Sequence, residues 1–72
     1  MTFFSSRIRE LRHEVDVTQK ALAAGLGISE RAYQYYELGA REPSISTLIA
    51  LANYFGVSVD YLLGLSDVKE RR

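Results

Sequence analysis

Four times along this chain a serine or threonine stands just ahead of a run with helical periodicity, and a glycine stands just after it: Thr18 and Gly27, Ser29 and Gly39, Ser44 and Gly56, Ser58 and Gly64. The side-chain oxygen of such a residue accepts a hydrogen bond from the free N–H groups of a first helical turn. Glycine takes the positive φ that lets a helix stop without steric penalty. Between these punctuation marks apolar residues recur at spacings of three and four. They are Leu22 and Leu26, then Ala32, Tyr33 and Tyr36, then Ile45, Leu48, Leu51, Ala52 and Phe55, and last Val59, Leu62 and Leu63. A further segment, Ser5 to Val15, carries Ile8, Leu11 and Val15 on one stripe, with Ser5 or Ser6 as its cap. Asp16 sits where that helix should end, and Asp tolerates the left-handed conformation better than most residues. No stretch alternates for more than a few residues, so a β reading fails. The pattern predicts an all-α chain of five helices, the third running from about Glu30 to Leu38.

Size and composition narrow the possibilities. At 72 residues the chain makes one small domain. The expected organisation is an N-terminal extension over 1–4, a helical domain over 5–64 and a charged tail over 65–72, frayed from Ser66 onward. With no cysteine and a single histidine, His13, neither a disulfide nor a metal cluster is expected. No apolar run approaches the roughly 20 residues that span a bilayer. Met1-Thr2-Phe3-Phe4 lacks the basic start and long apolar stretch of a signal peptide. A soluble, cytoplasmic protein is expected. An enzyme is not: no Ser/His/Asp set, carboxylate pair or glycine-rich phosphate loop is visible, and no cofactor, metal or small-molecule ligand is implied. Nine Lys and Arg balance nine Asp and Glu. Such a balance argues against a nucleic-acid partner unless the basic residues share one face.

Three stretches then matter by their order and spacing. Thr18-Gln19-Lys20-Ala21-Leu22-Ala23-Ala24-Gly25-Leu26-Gly27-Ile28-Ser29 is a short helix, a tight glycine turn and a new cap. It resembles the helix-turn-helix of the Xre or Cro/repressor family. Tyr36-Glu37-Leu38-Gly39-Ala40-Arg41-Glu42-Pro43-Ser44 is similar to the loop that follows in that family, and Leu48 to Leu63 is similar to its last two helices. The resemblance covers about residues 5 to 64. It implies a five-helix lambda-repressor-like domain that binds double-stranded DNA and regulates transcription, most simply as a repressor occupying an operator. The physics agrees, since the B-DNA major groove is about 12 Å wide and admits one α-helix.

The same resemblance implies a DNA-contacting set of Thr18, Gln19, Lys20, Ser29, Glu30, Arg31, Ala32, Gln34, Tyr35 and Arg41. Arg31 and Gln34 carry the donors that pair with guanine and adenine, and a carboxylate such as Glu30 can accept from cytosine N4. Ala32 or Tyr35 would lie against a thymine methyl. Gln19, Lys20 and Arg41 would meet phosphates. On the alternative, this is a solvated face and Arg31 merely pairs with Glu30 or Glu37. Arg12 and Glu37 match an arginine–glutamate pair that ties the first helix to the third in similar proteins. Tyr33 and Tyr36 are expected in the core rather than as a stacking platform. Tyr35, Leu38 and Ala40 depart from the polar or basic residues common at these places; the net charge near zero, Leu38, Ala40 and Glu30 leave a protein-interaction module as the competing reading. A single reading helix discriminates few base pairs, so a homodimer is expected, formed in solution or only on DNA. Phe3 and Phe4 either supply its contact, as Leu63, Leu65 and Val68 also could, or fold back onto the fifth helix.

Overall fold

The computed structural model describes residues 2–70, without the side chain of Thr2. Five helices follow one another: α1 (Thr2–Glu14), α2 (Gln19–Leu26), α3 (Glu30–Leu38), α4 (Ile45–Phe55) and α5 (Val59–Leu62). The caps fall where the sequence places them. Thr18, Ser29, Ser44 and Ser58 each accept a hydrogen bond from the backbone N–H three residues on, at Ala21, Ala32, Thr47 and Tyr61. Gly27, Gly39 and Gly56 close α2, α3 and α4 at φ values of 71°, 75° and 67°. Asp16 turns the chain after α1 with φ 56°.

The core is built from α1 (Phe4, Ile8, Leu11), α2 (Leu22, Ala23), α3 (Tyr33, Tyr36), α4 (Leu51, Ala52), Val57 and α5 (Tyr61, Leu62). Removing a large apolar side chain of this kind from water stabilises a fold by about 1.5–3 kcal/mol. The helices pack pairwise, α2 on α3 and α4, α1 on α3 and α5, and α4 on α5. Gly25 lies where α2 meets α4: a Cβ there would come within 3.0 Å of the Tyr54 ring. That contact explains a glycine inside a helix, where its intrinsic cost is about 1 kcal/mol.

Several expectations are corrected. α1 begins at Thr2, so Ser5 and Ser6 lie inside the helix rather than capping it, and residues 3–4 are helical rather than an extension. Ser5 is buried and faces Gly39, where a Cβ would meet its Oγ at 3.2 Å. Phe4 folds back into the core of its own chain, while Phe3 stays exposed against Gly64. Val15 and Ile45 hold the apolar rhythm but sit at helix ends, past the reach of a partner helix, and are 50% and 77% exposed. The stretch from Ser66 to Lys69 is docked, not frayed. Arg7 Nη1 donates to the carbonyls of Tyr61 and Ser66, both at 2.6 Å, and its Nη2 donates to Asp67 Oδ1 at 2.9 Å. The Arg7 guanidinium also lies 4.1 Å from the centre of the Tyr61 ring. The backbone N–H of Ser58 donates to the Lys69 carbonyl at 2.9 Å, and Lys69 Nζ reaches Glu14 at 3.0 Å.

Candidate nucleic-acid interface

α2 and α3 are joined by a turn of three residues, Gly27 to Ser29, closed by hydrogen bonds from Gly27 N to Ala24 O and from Ile28 N to Ala23 O. Ala23 is buried between the two helices, and its small side chain suits a close approach. The turn leaves α3 with one face on the core, through Tyr33 and Tyr36, and the other in solvent. On the outer side Glu30, Arg31 and Leu38 are exposed, and Ala32, Gln34 and Tyr35 are half-buried. Gln34 Nε2 reaches Glu30 Oε2 at 3.5 Å one helical turn back, a long contact that water or a stronger acceptor can replace. Arg41, in the loop after α3, places its guanidinium 4.7 Å from the centre of the Tyr35 ring. That stacking orients both groups at the end of the ridge, an energy of about 0.5–1 kcal/mol at an exposed site. Thr18 and Ser29, at the starts of α2 and α3, are exposed, as is Lys20.

Glu37 ties this surface together from below. Arg12 on α1 donates to it through Nε at 2.6 Å and through Nη2 at 3.2 Å, the forked pairing that guanidinium geometry favours. Arg12 Nη1 also donates to the Val17 carbonyl at 3.0 Å. Gln19, first residue of α2, donates from Nε2 to Glu37 Oε1 at 3.1 Å. One carboxylate therefore fixes α1, the following turn and the start of α2 against α3. Burial on its own pushes the Glu37 carboxyl up, but the hydrogen bonds from Arg12 and Gln19 and the Arg12 charge help hold it below the usual carboxylate range. The Arg12 pKa is raised, chiefly by its hydrogen bond to Glu37. The Tyr33 hydroxyl is pushed up, chiefly by burial. Its oxygen nevertheless makes no hydrogen bond of good geometry. Tyr33 lies beside the Arg12–Glu37 pair rather than within it.

The even charge balance resolves into cations that are paired and cations that are not. Arg7, Arg12 and Lys69 are held by Asp67, Glu37 and Glu14. Among the described residues that leaves Arg9, Lys20, Arg31 and Arg41 without an acidic partner. Arg31 pairs with neither Glu30 nor Glu37. Arg9 was not singled out by the sequence. It lines an open cleft of about 280 Å³ with Gln19, Gln34, Glu37 and Leu38. The helical spacing of Arg9 and Arg12 on α1 was the available signal.

The chain is similar to known proteins in sequence and in fold. The model of a helix-turn-helix family, HTH_3, matches residues 8–62. The uncharacterized HTH-type transcriptional regulator YqaE of Bacillus subtilis (strain 168) is 47% identical over 60 residues, 83% of this chain and 52% of its own. The cryptic phage CTXphi transcriptional repressor RstR of Vibrio cholerae is 39% identical over 64 residues, 89% of this chain and 58% of its own. The chain thus spans about half the length of the curated relatives it matches. Among solved structures, the P22 c2 repressor in complex with a synthetic operator superposes with a TM-score of 0.79 at 34% identity, covering 82% of this chain and 89% of that one. The solution structure of the P22 c2 repressor DNA-binding domain gives a TM-score of 0.81 at 32% identity, covering 96% and 90%. On the matched family model and on the α2–turn–α3 geometry, the chain belongs to the HTH_3 helix-turn-helix family.

Proposed function

We propose that this chain is a sequence-specific, double-stranded DNA-binding transcriptional regulator that represses by occupying its operator, with α3 in the major groove. The observation that carries this reading is the solvent-facing ridge of α3, held rigidly by the Glu37 pairings, in a fold that superposes on a repressor solved with operator DNA. In this reading Arg31 and Gln34 address base edges, with Glu30, Ala32 and Tyr35 beside them. Lys20, Arg41 and Gln19 meet phosphates, and the exposed N-termini behind Thr18 and Ser29 present free N–H groups to the same backbone. The Arg12–Glu37 pair sets the angle of the ridge rather than reading sequence. The site of action in this reading is the cytoplasm.

The protein acts as a homodimer on a near-palindromic site, its half-sites about 34 Å apart. Exposed Phe3, Leu65 and Val68 are apolar groups available for the contact. The experiment is selection of bound duplexes from a random pool, then titration of the enriched sequence with complex mass measured at saturation. An enriched inverted repeat bound by two chains is expected. A pool that never enriches, with no binding to random duplex at low salt, overturns DNA binding and favours a protein-interaction module built around exposed Leu38. One chain per duplex overturns the dimer alone.

A further inference from the structure

Among the basic side chains of the interface Arg9 has no role in the fold. It is exposed, and it makes no hydrogen bond, ion pair or ring contact with any described residue. It stands three residues before Arg12 and so shares its side of α1. That side faces α3, and Arg9 lines a cleft with Gln19, Gln34, Glu37 and Leu38. The polar groups of the cleft are largely committed. Arg12 spends its fork on Glu37 and the Val17 carbonyl, and Gln19 gives an amide N–H to Glu37. The Glu37 charge is offset by Arg12, so the cleft floor does not repel an anion. What remains is one uncommitted guanidinium at the rim, beside the foot of the reading ridge.

We infer that Arg9 is a further DNA contact, donating to a backbone phosphate where the strand passes the α1 side of the major groove. The inference rests on the DNA-binding reading above. Phosphate is favoured over base because Arg9 belongs to α1, outside the two-helix unit that enters the groove, and meets the duplex at its flank. A guanidinium fork also matches two phosphate oxygens. The contact offsets part of what the chain lacks at Leu38 and Ala40, where no charge is presented.

The test compares wild type, Arg9→Ala and Arg9→Lys on the selected operator and on a random duplex across a salt series. Each phosphate contact adds about 0.9 to the slope of log K against log salt, so Arg9→Ala should lower that slope by about 0.9 on both duplexes alike. The affinity ratio of wild type to Arg9→Ala should then shrink about 3.5-fold between about 50 and about 200 mM salt. Arg9→Lys should restore most of the slope, since the point charge survives. Thermal melts of the variants should match wild type because Arg9 is exposed and makes no hydrogen bond or ion pair with a described residue. Wild-type binding with unchanged affinity and slope in Arg9→Ala overturns the Arg9 contact and leaves the DNA reading standing. A loss confined to the operator, with an altered preference at one base pair, overturns the phosphate assignment. Failure of wild type to bind any duplex removes both.

Discussion

Replacing Arg12 with Ala removes two of the three side-chain hydrogen bonds to Glu37 and leaves its carboxylate, 5% exposed, with Gln19. Removing one partner of a buried ion pair costs about 3–5 kcal/mol, because the other charge is left in low dielectric. Here Gln19 still donates, and Arg12 was itself 14% exposed, so the cost belongs at the lower end, about 3 kcal/mol. A domain of this size holds about 4–11 kcal/mol in all. The variant should melt roughly 12–24 °C lower. The pH dependence supplies an independent check. In wild type the folded Glu37 pKa lies below its usual value, so its contribution is fully present above the usual carboxylate range and is lost as pH falls through the depressed pKa. Without Arg12 the burial effect, which raises the pKa, gains weight, and the cost of the stranded charge disappears once Glu37 takes up a proton. The stability gap between the two proteins should therefore be about 3 kcal/mol near neutrality and narrow on acidification to about the 1 kcal/mol of the neutral hydrogen bonds. Urea unfolding at a series of pH values measures it. A gap under about 0.5 kcal/mol at neutral pH, the range of an exposed pair, refutes the reasoning. So does a gap that stays constant as the carboxylates protonate.

Other substitutions probe the remaining parts of the surface. Tyr33→Phe deletes a buried hydroxyl without a hydrogen bond and should leave urea stability unchanged or up to about 1 kcal/mol higher; a loss above about 1 kcal/mol would show that the hydroxyl donates to Glu37. Gln34→Ala should cost about 1–3 kcal/mol on the selected operator and little on random duplex. Equal losses on the two would remove Gln34 from the base readers. Arg41→Ala should weaken binding to every duplex alike and lower the salt slope by about one; because Arg41 also stacks on Tyr35, a change confined to the operator would mean that it acts by orienting that ring.

The helices of this chain are legible one at a time because their signals are local. A cap oxygen at Thr18, Ser29, Ser44 or Ser58 is satisfied by an N–H three residues away, and a glycine stop is a matter of one residue's φ. The same locality makes α3 readable from Glu30 to Leu38, and the family spacing on top of it points to Arg12 and Glu37. Where partners are distant in sequence the local signal is silent. The sequence places the start of α1 at Ser5 or Ser6, but the helix runs from Thr2 and carries Phe4 into the core, a contact with residues far along the chain. Val15 and Ile45 satisfy the helical period yet stay in water, because period says which face a residue is on, not whether another helix covers it. The C-terminal segment looks unstructured as a charged run, but Arg7, 60 residues away from Asp67, pins it down. Charge is the clearest case. The count of basic and acidic residues is even, and only the fold decides that Asp67, Glu14 and Glu37 occupy Arg7, Lys69 and Arg12 and, among the described residues, leave Arg9, Lys20, Arg31 and Arg41 without an acidic partner. An electrostatic face is a property of distances, and distances between residues far apart in the chain exist only after packing.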